Sequence, residues 1–103
     1  MATGDGSTAQ RYATLTIDAL ADALRTLPRW GLEQGHLVRR LAVPDPWGLL
    51  ERVSQVELEL DHHSVVALDH GELVFTVWTH VRPGLTSVDV ELAHRIDEVA
   101  TAG

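Results

Sequence analysis

The sequence predicts an α+β domain, a four-stranded antiparallel sheet with three helices on one face in the order α-β-β-α-β-β-α. The length of 103 residues suits one domain. Three segments carry apolar residues at helical spacing, and two pairs of strand-like segments are each joined by a short turn that contains glycine. Because two hairpins cannot form the parallel sheet of an alternating βαβ protein, an antiparallel sheet covered by helices on one face is the simplest arrangement.

Capping and turn residues delimit the elements. Thr16 is a suitable N-cap for the first helix, which Pro28 ends. Asp45 followed by Pro46 begins the second helix, and Thr86 with an acidic residue three positions later forms a capping box for the third. Residues 1–13 are small and polar and predict a disordered tail before a single domain over 14–103. The predicted elements are a helix over 17–27, strands over 30–32 and 36–43, a helix over 46–60, strands over 65–68 and 72–80, and a helix over 87–100.

The composition excludes several classes of function. Fifteen acidic residues against eight arginines give a net charge of −7, which argues against a nucleic-acid partner. No apolar run approaches the roughly 18 residues of a membrane span, and no secretory signal pattern is present, so we expect a cytoplasmic protein without a membrane partner. The lack of cysteine excludes disulfides and thiolate chemistry. A domain this small also favours a homo-oligomer with a shared interface.

Three histidines are predicted to converge. His62 and His63 follow the second helix, and His80 ends the strand that the last hairpin brings back beside them. Asp61 and Asp89 lie in the flanking segments. Imidazoles titrate near neutral pH, so this group suits general acid/base catalysis.

From the residues alone, other roles stay open. A histidine pair in a loop is often only a solvated surface feature, and imidazoles with carboxylates also bind zinc or iron. Because neighbouring residues of an extended chain diverge, the sequence predicts no metal site. Solvated surface positions are expected for the remaining histidines and for two acidic pairs: His36, His70, His94, Glu57 with Glu59, and Asp97 with Glu98.

The residues around the histidines resemble one known family. Asp61-His62-His63-Ser64, then Thr79-His80, and then Gly84-Leu85-Thr86 with Asp89 are similar in type and spacing to the pterin-4a-carbinolamine dehydratases. The resemblance spans about residues 15–100, and Leu27-Pro28-Arg29-Trp30 is similar to the Leu-Pro-Gly-Trp of that family. The fold of the family agrees with the predicted order of elements.

The resemblance implies dehydration of 4a-hydroxytetrahydropterin to quinonoid dihydropterin, a step in the recycling of the tetrahydrobiopterin cofactor, with no cofactor of its own. His62 and His80 would be the acid and base groups, His63 would orient the pterin, and Asp89 would hold an imidazole. Family members are dimers or tetramers, which implies a homodimer or homotetramer. The residues that we expect to contact the substrate are Trp30, Asp61, Ser64, Trp78 and Thr79. For Trp78 this expectation comes from its place on the sheet face without helices, where it could equally contact another subunit.

The chain departs from the family pattern at several positions. Ser64 stands in place of proline, Leu58 in place of an acidic residue, and His70 in place of an aromatic residue, and residues 41–47 form a shorter segment than usual. The family pattern tolerates Ser64, whereas Leu58, His70 and the shortened segment favour an alternative reading. The chain would then be a dehydratase-like protein with lost or changed activity, which serves as a binding or assembly module or in another small-molecule pathway.

Overall fold

The computed structural model describes residues 13–80 and 84–102, so most of the predicted tail lies outside the described residues. The predicted α+β class and the order α-β-β-α-β-β-α are confirmed. Among the described residues, no helix is long and apolar enough to span a membrane. The elements are α1 (Ile17–Arg25), β1 (Gly31–Glu33), β2 (His36–Leu41), α2 (Pro46–Leu60), β3 (Ser64–Asp69), β4 (Glu72–Val77) and α3 (Ser87–Ala102).

Two helices begin at the predicted caps. The Thr16 hydroxyl accepts a hydrogen bond from the amide of Ala19 at 3.1 Å, and the Asp45 carboxylate accepts one from the amide of Gly48 at 3.1 Å. These side chains satisfy amide groups that the first turn of a helix leaves without a partner. Helix α1 ends at Arg25, two residues before the predicted end. Proline disfavours helical backbone angles in the residue that precedes it, which is Leu27 here, so the helix does not extend to Leu27.

The sheet is antiparallel throughout, with the strand order β1-β2-β4-β3. Strand β4 alternates as predicted, with Leu73, Phe75 and Val77 buried and the residues between them half-buried. The ladder ends at the pair Ser64–Val77, three residues before the predicted end of the strand. The buried side chains of β4 meet the apolar faces of α2 and α3, which forms the core.

Candidate active site

The end of helix α2 determines where His62 lies. Asp61 has a positive φ of 52°, a left-handed conformation that ends a helix. The amide of Asp61 then donates to the Leu58 carbonyl at 3.3 Å, and the amide of His62 donates to the Glu57 carbonyl at 3.1 Å. This pair of hydrogen bonds is a Schellman motif, which satisfies the last carbonyls of the helix and turns the chain toward β3.

A buried carboxylate holds the His62 imidazole. Asp89, in the first turn of α3, is fully buried, and its Oδ1 lies 2.7 Å from Nε2 of His62. Its Oδ2 accepts hydrogen bonds from the Thr79 hydroxyl at 2.7 Å and from the Thr86 amide at 2.8 Å. Because an ionised carboxylate only accepts hydrogen bonds, His62 donates its Nε2 proton to Asp89. This contact fixes both the ring orientation and the tautomer of His62.

The two threonines complete the proton arrangement around Asp89. The hydroxyl of Thr79 donates to Asp89, so the contact of 2.8 Å between the two threonine hydroxyls is one in which Thr86 donates. The amide of Thr86 and the carboxylate of Asp89 form half of the predicted capping box. Helix capping and the orientation of His62 therefore depend on the same carboxylate.

Ser64 is held by Glu57 from the last turns of α2. The amide and the hydroxyl of Ser64 both donate to Oε2 of Glu57, at 2.7 and 2.5 Å. This contact ties the first residue of β3 to the helix across the intervening His62-His63 pair. Glu57 is half-buried, so the expectation of a fully solvated position was wrong for this residue. Its carboxylate binds the residue that follows the histidine pair, although Leu58 occupies the position where the resemblance implies an acidic residue.

Trp78 and His80 stack on each other at the end of β4. Their ring centroids are 4.4 Å apart with 26° between the ring planes. The imidazole of His36, from β2, stacks on the same indole at 4.3 Å and 9°. His36 was expected to be a solvated residue, and the structure instead places it in this three-ring stack. Trp78 is half-buried, whereas His80 is exposed.

Trp30 lies in the core, near the other end of α3. Its indole Nε1 donates to Asp97 at 2.8 Å, and the buried Arg39 forms an ion pair with the same carboxylate. Asp97 follows Asp89 by eight residues, which is about 12 Å of helix. The structure therefore corrects the expectation that Asp97 belongs to a solvated face, and it places the indole nitrogen of Trp30 in a structural hydrogen bond.

The structure brings the site residues together in two groups. His62, Thr79 and Asp89 share one buried hydrogen-bond network, and Trp78 and His80 share the stack. His63 and Asp61 are exposed beside them. Because Ser64 pairs with Val77, the segments that carry all three histidines lie at the same end of the β3–β4 hairpin. Within residues 13–80 and 84–102, no three His, Asp or Glu side chains are placed to hold a metal ion.

Three residues at this end of the molecule were missed as site residues by sequence reasoning. Thr86 had a signal, because the capping box already places it beside Asp89. The sequence offered no clear signal for Glu57. It lies seven residues before Ser64, and a carboxylate on a helix is more often solvated than bound to a neighbouring segment. His36 had no such signal, since its partner Trp78 is 42 residues away in the sequence, just after β4.

Comparison with known proteins finds related sequences. A family model described as "Pterin 4 alpha carbinolamine dehydratase" matches residues 13–99. A relative from Streptomyces coelicolor, named "Putative pterin-4-alpha-carbinolamine dehydratase", is 36% identical over 90 residues, which cover 84% of this chain and 89% of the relative. A relative of the same name from Nocardia farcinica is 34% identical over 89 residues, covering 84% and 94%.

A solved structure shows the same fold. It is titled as a transcriptional coactivator/pterin dehydratase from Brucella melitensis, with a TM-score of 0.79 and 22% identity, and the match covers 85% of this chain and 99% of that one. The family model extends from the residue before the Thr14 bridge to the last turns of α3 and so includes every residue of the histidine site. The chain therefore belongs to the pterin 4 alpha carbinolamine dehydratase family.

Proposed function

We propose that this protein dehydrates 4a-hydroxytetrahydropterin to quinonoid dihydropterin through acid/base chemistry of its own side chains. The observation that carries the proposal is the buried hydrogen bond between His62 and Asp89, at 2.7 Å. A histidine held by a buried carboxylate is an imidazole with a defined tautomer and orientation, which general acid/base catalysis requires. Membership of the family supports the pterin as the substrate class.

The reaction removes water without a change of oxidation state, so it needs proton transfers and no redox cofactor. The bond between C4a and the hydroxyl oxygen breaks, the N5 proton leaves, and a double bond forms between C4a and N5. One group must protonate the departing hydroxyl and another must accept the N5 proton. Two correctly placed imidazoles are sufficient for both transfers.

The Nε2 proton of His62 is directed at Asp89, so in this proposal His62 exchanges its proton with the substrate through Nδ1. When Nδ1 accepts a proton, the resulting positive charge lies beside the Asp89 carboxylate, which stabilises it. We assign the second transfer to His80, whose segment lies at the same end of the β3–β4 hairpin. His63, which follows His62 and is exposed, orients the pterin ring in this proposal.

Chemically generated 4a-hydroxytetrahydropterin tests the proposal directly. We expect the wild-type protein to accelerate quinonoid formation, and His62→Ala and His80→Ala each to lower kcat by roughly 10²- to 10⁴-fold, the usual contribution of a general acid or base. His70→Ala is the matched control, because His70 is exposed in the turn at the far end of the same hairpin. Quinonoid formation no faster than in buffer would overturn the proposal. Binding of the pterin without turnover would instead favour the dehydratase-like alternative.

We also propose that the protein is a homodimer or homotetramer. Strand β3 is an edge strand of six residues with the exposed apolar side chains Val65 and Leu68. A long apolar edge strand is suited to pair with another chain.

A further inference from the structure

We propose that Trp78 is a positioning residue that orients the His80 imidazole by ring stacking, and that His36 supports the indole from the neighbouring strand. The inference rests on the proposed function, since it assumes that His80 acts on the substrate. It gives Trp78 a different role from the substrate contact predicted from the sequence. It also gives His36 a role at the site.

The backbone register explains why the three rings meet. Leu37 pairs with Val77 at the end of the β2–β4 ladder, so the next position places His36 beside Trp78. Side chains two positions apart in an extended chain project to the same side, which brings His80 next to Trp78. Both ring pairs are stacked, with centroids 4.3 and 4.4 Å apart and ring planes 9° and 26° from parallel.

His80 needs such a support because it lies beyond the end of the β4 ladder. Its side chain is exposed, and within the part of the chain that the structure describes its ring makes no hydrogen bond. An exposed imidazole without a partner exchanges between side-chain rotamers. The stack on Trp78 restricts this exchange, and a restricted acid/base group reacts faster because less orientational freedom is lost in the transition state.

Trp78 is suited to this task because its own indole is anchored. It is half-buried and packs against the hydrophobic core. The stack therefore connects the exposed His80 to the rigid part of the molecule. The two imidazoles already cover part of the indole surface, and we assign the indole to the support of His80 rather than to the pterin.

Nuclear magnetic resonance of the histidine ring protons tests the stack without reference to activity. The indole ring current should shift the ring signals of His36 and His80 upfield in the wild-type protein, and Trp78→Leu should return both to ordinary values. His36→Ala should move the His80 signals part of the way, and His36→Phe should restore them. His70→Ala should leave them unchanged. His80 signals that do not respond to Trp78→Leu would overturn the proposal.

The kinetic constants then separate positioning from substrate contact. Trp78→Leu and His36→Ala should lower kcat about threefold to tenfold, the range that loss of an aromatic contact implies, with KM nearly unchanged. Trp78→Phe and His36→Phe should recover most of this loss. A rise in KM at constant kcat would instead make Trp78 a substrate contact and contradict the proposal.

Together, the resonance and kinetic measurements also distinguish this inference from the proposed function. A wild-type protein that is inactive but shows the upfield His80 signals would contradict dehydration, and the catalytic part of the inference with it, while confirming the stack. An active protein without those signals would contradict the inference alone. If Trp78→Leu does not fold, the two His36 variants provide both measurements.

Discussion

Asp61 combines two roles at a single residue. Its positive φ ends helix α2 and directs His62 toward Asp89, whereas its exposed carboxylate stands next to the histidine pair. The first role belongs to the backbone and the second to the side chain. A glycine adopts the left-handed conformation without steric cost, and an alanine does not. Substitution by these two small residues can therefore separate the roles.

We expect Asp61→Ala to lower the free energy of unfolding by about 1 kcal/mol relative to Asp61→Gly, because only alanine resists the positive φ. If the carboxylate contacts the pterin, as the resemblance implies, both variants should raise KM by a similar factor. Urea denaturation and steady-state kinetics measure the two effects on the same samples. Equal stability of the two variants would contradict the backbone role, and an unchanged KM in both would contradict the substrate contact.

At the scale of elements, local sequence signals predicted where most helices begin, whereas tertiary contacts determined where strand β4 ends. Thr16 and Asp45 cap their helices through their nearest amides, which is why a single sequence is sufficient to find them. The end of β4 depends on a distant contact. The alternation of apolar and polar residues continues to His80, yet Thr79 directs its hydroxyl to Asp89 on α3, beyond the last ladder pair at Val77. No local pattern reports such a contact.

The same distinction applies to the site. The convergence of the three histidines could be predicted from the hairpin that joins their segments. The role of Asp89 beside an imidazole could be predicted from the family resemblance, and the capping box places Asp89 three residues after Thr86. The stack of His36 on Trp78 requires the register of β2 against β4, which depends on how the whole sheet pairs. The contact between Trp30 and Asp97 joins residues 67 positions apart, and nothing near either residue indicates it.

Gly48, in the first turn of α2, provides a prediction about the element itself. Glycine to alanine in a helix normally stabilises by up to about 1 kcal/mol. Here a Cβ at position 48 would collide with the Asp45 carboxylate that caps the helix. The carboxylate can rotate away, but the cap, which contributes about 1 kcal/mol, is then lost. The two effects are similar in size, so we expect Gly48→Ala to change stability little.

A double-mutant cycle checks this cancellation. In an Asp45→Ala background the cap is already absent, so Gly48→Ala should there stabilise by nearly the full amount of about 1 kcal/mol. Thermal and urea denaturation of the four proteins provide the coupling energy. If Gly48→Ala stabilises equally in both backgrounds, the Asp45 carboxylate does not form the cap.

For the whole molecule, the two edges of the sheet differ. Strand β1 has three residues at one edge, whereas β3 has six at the other. Val65 is 48% exposed and Leu68 is 57% exposed on β3. A domain of this size buries a limited share of its apolar surface when alone, so pairing through the longer edge would add to its stability.

We therefore expect light scattering to report two or four times the chain mass of 11.3 kDa for the wild-type protein. The double variant Val65→Lys, Leu68→Lys places charge along the edge, where it opposes pairing, and should dissociate at least one interface. Leu58→Lys is the matched control, because Leu58 is an apolar residue that is 74% exposed on α2 and not on the edge strand. Dissociation by Leu58→Lys alone would place the interface on the helices instead.

A wild-type mass of 11.3 kDa would mean that one chain is the functional unit. The end of the hairpin that carries the three histidines would then have to bind the pterin without a partner subunit.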